Sequence, residues 1–259
     1  MCNKKTEKLK IKKILVSQPE PETEKSPYFD LAEKHNLKID FRPFIQVVPV
    51  DSKVFRKKRI NILHHTAVVF TARTAVDHFF RICEEMRITV PDTMKYFCIS
   101  EATAFYLQKY IVYRKRKIFF GKSSFSELLE VIEKHKEEKF FVPLSDMHKP
   151  EIPKGLDKLK VKYNIAILYR TIASDLSDLS DVNYDILVFF SPSGIKSLFD
   201  NFPDFKQNDT RIAAFGPTTA KAVKDANLRL DIQAPLPEAP SMTMALDQYI
   251  RDANKNCKK

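Results

Sequence analysis

The chain has 259 residues, of which 44% are hydrophobic, and carries a formal net charge of +11. This length suits two domains of ordinary size, or alternatively one large domain. No stretch approaches the roughly 18 uncharged apolar residues of a membrane-spanning helix, and the first residues lack the apolar core of a signal peptide, so we expect a cytoplasmic protein with no membrane partner.

The positive charge is concentrated at the two ends of the chain. Residues 1–13 carry +5 and residues 251–259 carry +3, which leaves only +3 for residues 14–250. Charged ends are usually solvated segments, and a nearly neutral body offers little positive surface for binding a phosphate backbone. The distribution disfavours nucleic-acid binding, and binding through the basic tails is the weakest of the functions that we consider.

Metal and nucleotide sites are not expected from the residue patterns. The four cysteines (Cys2, Cys83, Cys98 and Cys257) show no paired spacing, so reduced thiols are predicted and a zinc site is not. His64-His65 has no second ligand three or four residues away. With four glycines in the whole chain, and no Walker or dinucleotide pattern, no nucleotide cofactor is expected.

The first half of the chain alternates between predicted strands and helices. A strand over Lys13–Val16 is followed by a helix that begins at Ser26, with proline in its first turn, and ends at Asn36. Residues 39–44 and 47–50 are predicted to be extended, and the basic run 53–59 to be a solvated helix face. Ala67–Phe70 is a buried strand, and the helix after it faces the core through Val76, Phe79, Phe80 and Cys83.

The alternation continues to the end of the chain. A helix from Thr103 should pack Phe105, Leu107 and Tyr110 into the core. The basic run 113–117 is interpreted as a charged strand edge, or alternatively as a positive rim that faces an anionic ligand. Ser124 and Glu127 form a capping box. Further strands are predicted over residues 140–143, 165–168, 188–190, 212–215 and 230–234, and Ser241 caps a last helix over residues 242–250.

A strand–turn–helix pattern occurs twice in each half of the chain. Strands ending at Thr71 and before Ser100 lie 29 residues apart, and those ending at Ser191 and before Gly216 lie 25 residues apart. Each is followed by a helix start, where free amides and the helix dipole favour an anion. Capping alone would use the same residues, so that interpretation stays open.

Strands that alternate with helices predict an α/β fold of parallel sheets flanked by helices. Ligands of such folds bind beyond the carboxyl ends of the strands. We therefore expect the substrate to meet the polar residues at those ends. They are Thr71, Ser100, Thr103, Ser191, Ser193, Gly194, Gly216, Thr218 and Thr219.

The motifs resemble those of the uroporphyrinogen-III synthase family. Residues 189–194 (Phe-Phe-Ser-Pro-Ser-Gly) and 215–220 (Phe-Gly-Pro-Thr-Thr-Ala) look like its two most recognisable motifs, and residues 70–71 and 102–104 look like their counterparts in the other domain. Ser100 stands where the family usually has glycine. The resemblance implies two domains joined by a two-stranded linker. Residues 1–38 and 172–259 would form one domain, residues 48–164 the other, and residues 39–47 and 165–171 the linker strands.

The resemblance also implies an activity. The family closes linear hydroxymethylbilane into a macrocycle, inverting the last pyrrole ring and losing water without a cofactor. The many carboxylates of this substrate suit a cleft lined by hydroxyls and helix starts. Tyr169 matches the tyrosine thought to assist loss of the hydroxyl, although by itself it could be a packed linker aromatic. We expect a monomer, and the alternative is a non-catalytic homologue that binds a tetrapyrrole or another anion.

Overall fold

The computed structural model describes residues 10–179 and 183–255. Strands and helices alternate along most of this length. The strands are β1 (Lys13–Val16), β2 (Lys38–Phe41), β3 (Ile45–Pro49), β4 (Ala67–Phe70), β5 (Lys95–Cys98), β6 (Ile118–Phe120), β7 (Lys139–Ser145), β8 (Lys162–Ala173), β9 (Ile186–Phe189), β10 (Arg211–Phe215) and β11 (Ile232–Ala234). The helices are α1 (Pro27–His35), α2 (Ser52–Lys57), α3 (Arg73–Glu85), α4 (Glu101–Tyr106), α5 (Phe125–Glu133), α6 (Glu151–Leu159), α7 (Pro192–Asn201), α8 (Pro217–Asp225) and α9 (Met242–Lys255).

Five parallel strands form the first sheet, in the order β11-β10-β9-β1-β2. Helices cover both faces, because Leu31 of α1 and Leu246 of α9 pack with one set of strand residues while Leu198 of α7 and Val223 of α8 pack with the other. The central strand β9 is apolar and buried along its whole length, as expected when both faces are covered. The predicted α/β class is confirmed for this sheet.

Six strands form the second sheet, in the order β3-β8-β7-β4-β5-β6, and the pairs from β8 to β6 are parallel. Phe79 of α3 and Phe55 of α2 pack on one face. Leu128 of α5 and Leu156 of α6 pack on the other. The carboxyl ends of β4, β5, β7 and β8 therefore meet at one edge of this sheet, which is where a ligand is expected.

The chain forms two compact units. One unit contains the described residues up to Gln46 and those from Ile172 onward, and the other is Val47–Thr171. The first is discontinuous in sequence, and β3 and β8 both run through the boundaries between the units. Among the described residues, no helix is both long and apolar enough to cross a membrane.

Several local predictions are confirmed at residue level. Ser26 caps α1 by accepting a hydrogen bond from the Tyr28 amide at 3.4 Å, and Asn36 ends that helix in the left-handed conformation, with φ of 50°. The capping box between Ser124 and Glu127 is present at the start of α5. These features depend only on nearby side chains and backbone, so the sequence pattern is sufficient to predict them.

Other predictions were wrong. Phe105 is 50% exposed rather than in the core, because α4 stops at Tyr106 and the chain continues as a 3₁₀ turn. Residues 39–47 are not one strand, since Pro43 lacks the amide that pairing requires and separates β2 from β3. Residues 113–117 are a loop and turn that precede β6 rather than a strand edge. Within the basic run 53–59, Phe55 is buried, so this helix is not simply solvated.

Candidate functional site

Gly216 lies at the carboxyl end of β10 and begins α8. Its φ is 86° and its ψ is 153°, a conformation that is open essentially to glycine alone. A Cβ at this position would meet nothing within 4 Å, so the requirement for glycine comes from the backbone angle. The Gly216 amide donates to the Ala234 carbonyl at 2.6 Å, and no side chain caps the helix start. The first amides of α8 are thus left for an external acceptor.

The neighbouring strand β9 ends at a helix start that is capped from within. The hydroxyl of Ser191 accepts a hydrogen bond from the Gly194 amide at 3.2 Å. Gly194 is buried, and a Cβ there would come within 3.2 Å of the Phe189 ring. Ser193 is half-buried in the same turn. Ser191 and Gly194 therefore have structural roles in α7 that are independent of a ligand.

The two threonines of α8 differ in exposure. Thr219 is 1% exposed and packs inside the first unit, whereas Thr218 is exposed. Of the two, Thr218 presents its side chain to solvent beside the uncapped start of α8. The sequence motif does not distinguish the two threonines, because periodicity does not show which of two adjacent polar residues points inward.

In the second unit, Ser100 caps α4. Its hydroxyl accepts from the Thr103 amide at 3.3 Å and lies 3.2 Å from the Thr103 hydroxyl. Thr103 is buried, and the φ of Ser100 is −148°, which is extended backbone that any residue adopts. Serine therefore fits here without strain, although the related motif around Gly216 needs glycine. The pair acts as a helix cap in the described structure.

Thr71 follows β4 at the same edge of the second sheet. It is half-buried, and the helix after it, α3, begins at Ala72 without a side-chain cap. The start of α3 is therefore the second uncapped helix start at the predicted edges, after that of α8. Backbone amides there are suited to a carboxylate.

A cavity of about 680 Å³ opens at this edge of the second unit. It brings Thr71 and Tyr169 together, but Ser100 and Thr103 do not line it. The remaining polar lining comes from the start of α5 and from the loop between β7 and α6. These residues are Ser123, Ser124, Ser126, Ser145, His148, Lys149 and Glu151.

The sequence interpretation missed this lining. The capping box at Ser124 and the polar loop over residues 145–149 were visible in the sequence, but nothing in their spacing showed that they meet at one cavity. His148 is held in this loop by a 2.8 Å contact between its Nδ1 and the Ser145 carbonyl. Lys149 supplies the one lysine or arginine side chain of the lining. A negatively charged group would be attracted to that part of the cavity.

Tyr169 lies in β8 and is 7% exposed. Its ring stacks on that of His78 from α3, with 5.0 Å between ring centroids and 15° between ring planes. Burial raises the pKa of Tyr169, which keeps the phenol protonated near neutral pH. Its carbonyl accepts from the Asp146 amide at 3.3 Å, while its hydroxyl has no hydrogen-bond partner within residues 10–179 and 183–255. Within the described part of the chain, the phenol is therefore a donor without an acceptor.

One group of metal-ligand type occurs within the described part of the chain. Ligand atoms of His135, Glu137 and Glu138 lie within 4.8 Å of one another. Glu138 already accepts a hydrogen bond from Lys95 at 2.5 Å. Burial alone would raise the pKa of Glu138, but the hydrogen bonds from Lys95 and Thr66, together with the charge of Lys95, lower it. Because one of the carboxylates is engaged, the group does not present three free ligands.

Comparison with known families and structures gives consistent matches. A family model described as uroporphyrinogen-III synthase HemD matches residues 26–244. A uroporphyrinogen-III synthase from Saccharomyces cerevisiae is 27% identical in an alignment of 124 residues, and this alignment covers 42% of this chain. The match spans 44% of the length of the yeast protein, which is less than half.

Two solved structures share the fold. Uroporphyrinogen-III synthetase from Helicobacter pylori gives a TM-score of 0.59 at 16% identity, and covers 93% of this chain and 99% of its own. A mutant uroporphyrinogen III synthase from Thermus thermophilus gives a TM-score of 0.57 at 13% identity, with the same two coverages. At these identities the similarity shows the fold.

Proposed function

The chain belongs to the uroporphyrinogen-III synthase family, and from this we propose that it converts linear hydroxymethylbilane into uroporphyrinogen III within tetrapyrrole biosynthesis. The match to the family model over residues 26–244 carries this proposal. The reaction closes the macrocycle, inverts the last pyrrole ring and releases one molecule of water. We further propose that the protein works as a cytoplasmic monomer without a cofactor.

The described residues can supply the interactions that this reaction needs. The substrate bears carboxylates, and the uncapped amides at the starts of α3 and α8 are suited to binding them. In the second unit, Lys149 adds a positive charge to the lining of the cavity. Holding the two ends of a flexible tetrapyrrole in contact supplies the proximity part of the rate enhancement.

Tyr169 is proposed to assist the departure of the substrate hydroxyl. As the carbon–oxygen bond breaks, the phenol donates a hydrogen bond to the leaving oxygen, which departs as water once it is protonated. The raised pKa keeps the donor proton on Tyr169 at neutral pH. The carbon freed of its hydroxyl bonds to the α-carbon of the last pyrrole ring that already carries the bridge, and that bridge bond breaks. The bridge carbon then bonds to the other α-carbon of the same ring, which loses its proton, so the ring is inverted and one molecule of water has been released in total.

Ser100 stands where the family usually has glycine, which is one reason to consider the alternative of a non-catalytic homologue. The extended backbone there does not require glycine, so serine at this position is compatible with the fold. The basic tails lie largely outside the described residues, and the charge distribution gives nucleic-acid binding no support in the body of the chain.

A coupled assay tests the proposal. Purified protein is supplied with hydroxymethylbilane, and the type III and type I uroporphyrinogen products are resolved. We expect type III product in excess of the type I isomer that forms without the enzyme. Type I product alone, at the rate seen in buffer, would leave a binding protein of this fold.

A further inference from the structure

The stacking partner of Tyr169 is a histidine that the proposed function leaves unassigned. His78 lies on α3, and its ring is nearly parallel to the phenol at 5.0 Å between centroids. Both residues belong to the second unit. Stacked rings restrict each other's rotation, so His78 limits the orientations that the phenol can adopt.

The orientation of His78 is itself fixed by Arg81, one turn further along α3. The Arg81 Nε donates to the Nδ1 of His78 at 3.2 Å. The same guanidinium donates through Nη2 to the carbonyls of Val50 at 2.9 Å and Leu168 at 3.3 Å, and pairs with Glu85 at 2.5 Å. Leu168 immediately precedes Tyr169 in β8. One arginine thus ties the imidazole to the strand that carries the tyrosine.

These contacts require a neutral imidazole. Because Nδ1 accepts from Arg81, the ring proton is assigned to Nε2. The charged groups that act on His78 are Arg81 and Asp77, both on α3, and the titratable neighbour on β8 is Tyr169. Burial, followed by the positive charge of Arg81, lowers the pKa of His78 and outweighs Asp77. The stack therefore consists of two uncharged rings at neutral pH.

We propose that His78 is a positioning residue for Tyr169, and that its imidazole, held by Arg81, keeps the phenol in the orientation that donates to the departing hydroxyl. This inference rests on the proposed function, because it assigns a partner to the tyrosine of that reaction. His78 does not itself touch the reacting atoms. Its effect passes through the phenol ring.

The test compares His78→Ala, which removes the stack, with His78→Phe, which keeps a flat ring. We expect kcat of the alanine variant to fall on the order of tenfold with KM unchanged, because a misplaced donor slows the chemical step more than binding. Its product should shift toward the type I isomer. His78→Phe should recover most of the rate and of the product ratio.

Phe80→Ala is the matched control. Phe80 lies on the same helix and stacks on Tyr110 at 4.5 Å between centroids. The alanine variant therefore removes a comparable ring whose aromatic contacts are with Phe79 and Tyr110. We expect this variant to lose stability while keeping the wild-type product ratio. The inference is overturned if His78→Ala keeps the wild-type kcat and product ratio, if phenylalanine fails to restore them, or if Phe80→Ala shifts the ratio equally.

A spectroscopic measurement separates this inference from the proposed function. With ¹³C-labelled tyrosine, the ring signals of Tyr169 are assigned by their disappearance in Tyr169→Phe. His78→Ala should shift these signals and average the two sides of the ring, and Phe80→Ala should leave them in place. If the wild-type protein forms no type III product and His78→Ala still changes the Tyr169 signals, the positioning contact is supported and the proposed activity is wrong. Unchanged Tyr169 signals in His78→Ala would refute the positioning role directly.

Discussion

Ser100 and Gly216 occupy corresponding places at two helix starts, yet φ is −148° at Ser100 and 86° at Gly216. The first angle suits any residue and is combined with a side-chain cap. The second suits glycine and leaves the helix start uncapped. Two copies of one sequence pattern thus expose their backbone amides to different extents.

This difference predicts opposite tolerance to substitution. Gly216→Ala should lower the free energy of unfolding by about 1–3 kcal/mol, because alanine is strained at this backbone conformation. Ser100→Gly should cost only a few tenths of a kcal/mol, since glycine is a fair helix cap. Urea unfolding of the two variants measures both effects. Equal losses would show that the two helix starts are alike.

Tyr169→Phe should slow turnover while substrate binding survives. The variant keeps the ring that stacks on His78 and removes only the donor hydroxyl. General-acid assistance contributes about 10²- to 10⁴-fold, and we expect a loss at the lower end or below it, because substrate folding supplies much of the rate. Product analysis should show a shift toward the type I isomer.

Tyr163→Phe is the control for this change, because Tyr163 lies on the same strand and its hydroxyl donates to Asp157 at 2.6 Å. It should keep the wild-type rate and product ratio. A Tyr169→Phe enzyme with full activity would leave Tyr169 as a packed aromatic of β8.

Asp247 should make the stability of the first unit depend on pH in the acidic range. Burial alone would raise the pKa of Asp247, but hydrogen bonds to its carboxylate from His35, Arg251 and Lys34 outweigh burial and hold the pKa well below its usual range. A carboxyl whose pKa is depressed on folding stabilises the protein above its unfolded pKa of about 3.9. That stabilisation is lost as the pH falls from there toward the folded pKa.

We therefore expect Asp247→Asn to lower the free energy of unfolding by roughly 1.5–3 kcal/mol at pH 7, the range for hydrogen bonds to charged groups. The difference from wild type should shrink as the pH falls below about 4. Asp252→Asn, on the same helix and exposed, should have little effect at any pH. A difference for Asp247→Asn that does not change with pH would contradict the assignment.

Cys83 and Cys98 should resist thiol reagents in the folded protein. Burial raises the pKa of each thiol to about 12. Compared with an ordinary thiol pKa of 9.0, this lowers the thiolate fraction at neutral pH about a thousandfold, and the thiolate is the reactive species. The double variant Cys2→Ser, Cys257→Ser leaves Cys83 and Cys98 as its cysteines. We expect these thiols to be labelled only after denaturant is added. Rapid labelling of the native variant would show that one of the buried thiols is accessible.

The elements of the fold were predictable wherever local chemistry decides them. The predicted strand Lys13–Val16 and the helix between Ser26 and Asn36 agree with the structure residue by residue. Both are bounded by signals that act within a few residues, such as a capping serine, a proline in the first turn and a left-handed asparagine. Phe105 shows the limit, because its exposure depends on where a short helix stops.

The candidate site was predictable only in part. The strand-end rule indicated the edge where Thr71 lies, and the cavity at that edge is completed by Ser124, Ser145 and Lys149. Their meeting depends on tertiary packing of α5 and α6, which a single sequence does not specify. The stack of His78 on Tyr169 was missed for the same reason, since the two residues are distant in sequence and share no motif.

The order of strands in the first sheet has a consequence for synthesis of the protein. The amide of Lys13 in β1 donates to the carboxylate of Asp185, which lies 172 residues further along the chain, and β1 then pairs with β9. The continuous Val47–Thr171 unit leaves the ribosome before β9, which begins 15 residues after Thr171. Until β9 emerges, β1 lacks the strand on its other side and leaves apolar residues such as Ile14 and Val16 uncovered, so we expect the nascent N-terminal segment to be prone to aggregation during synthesis.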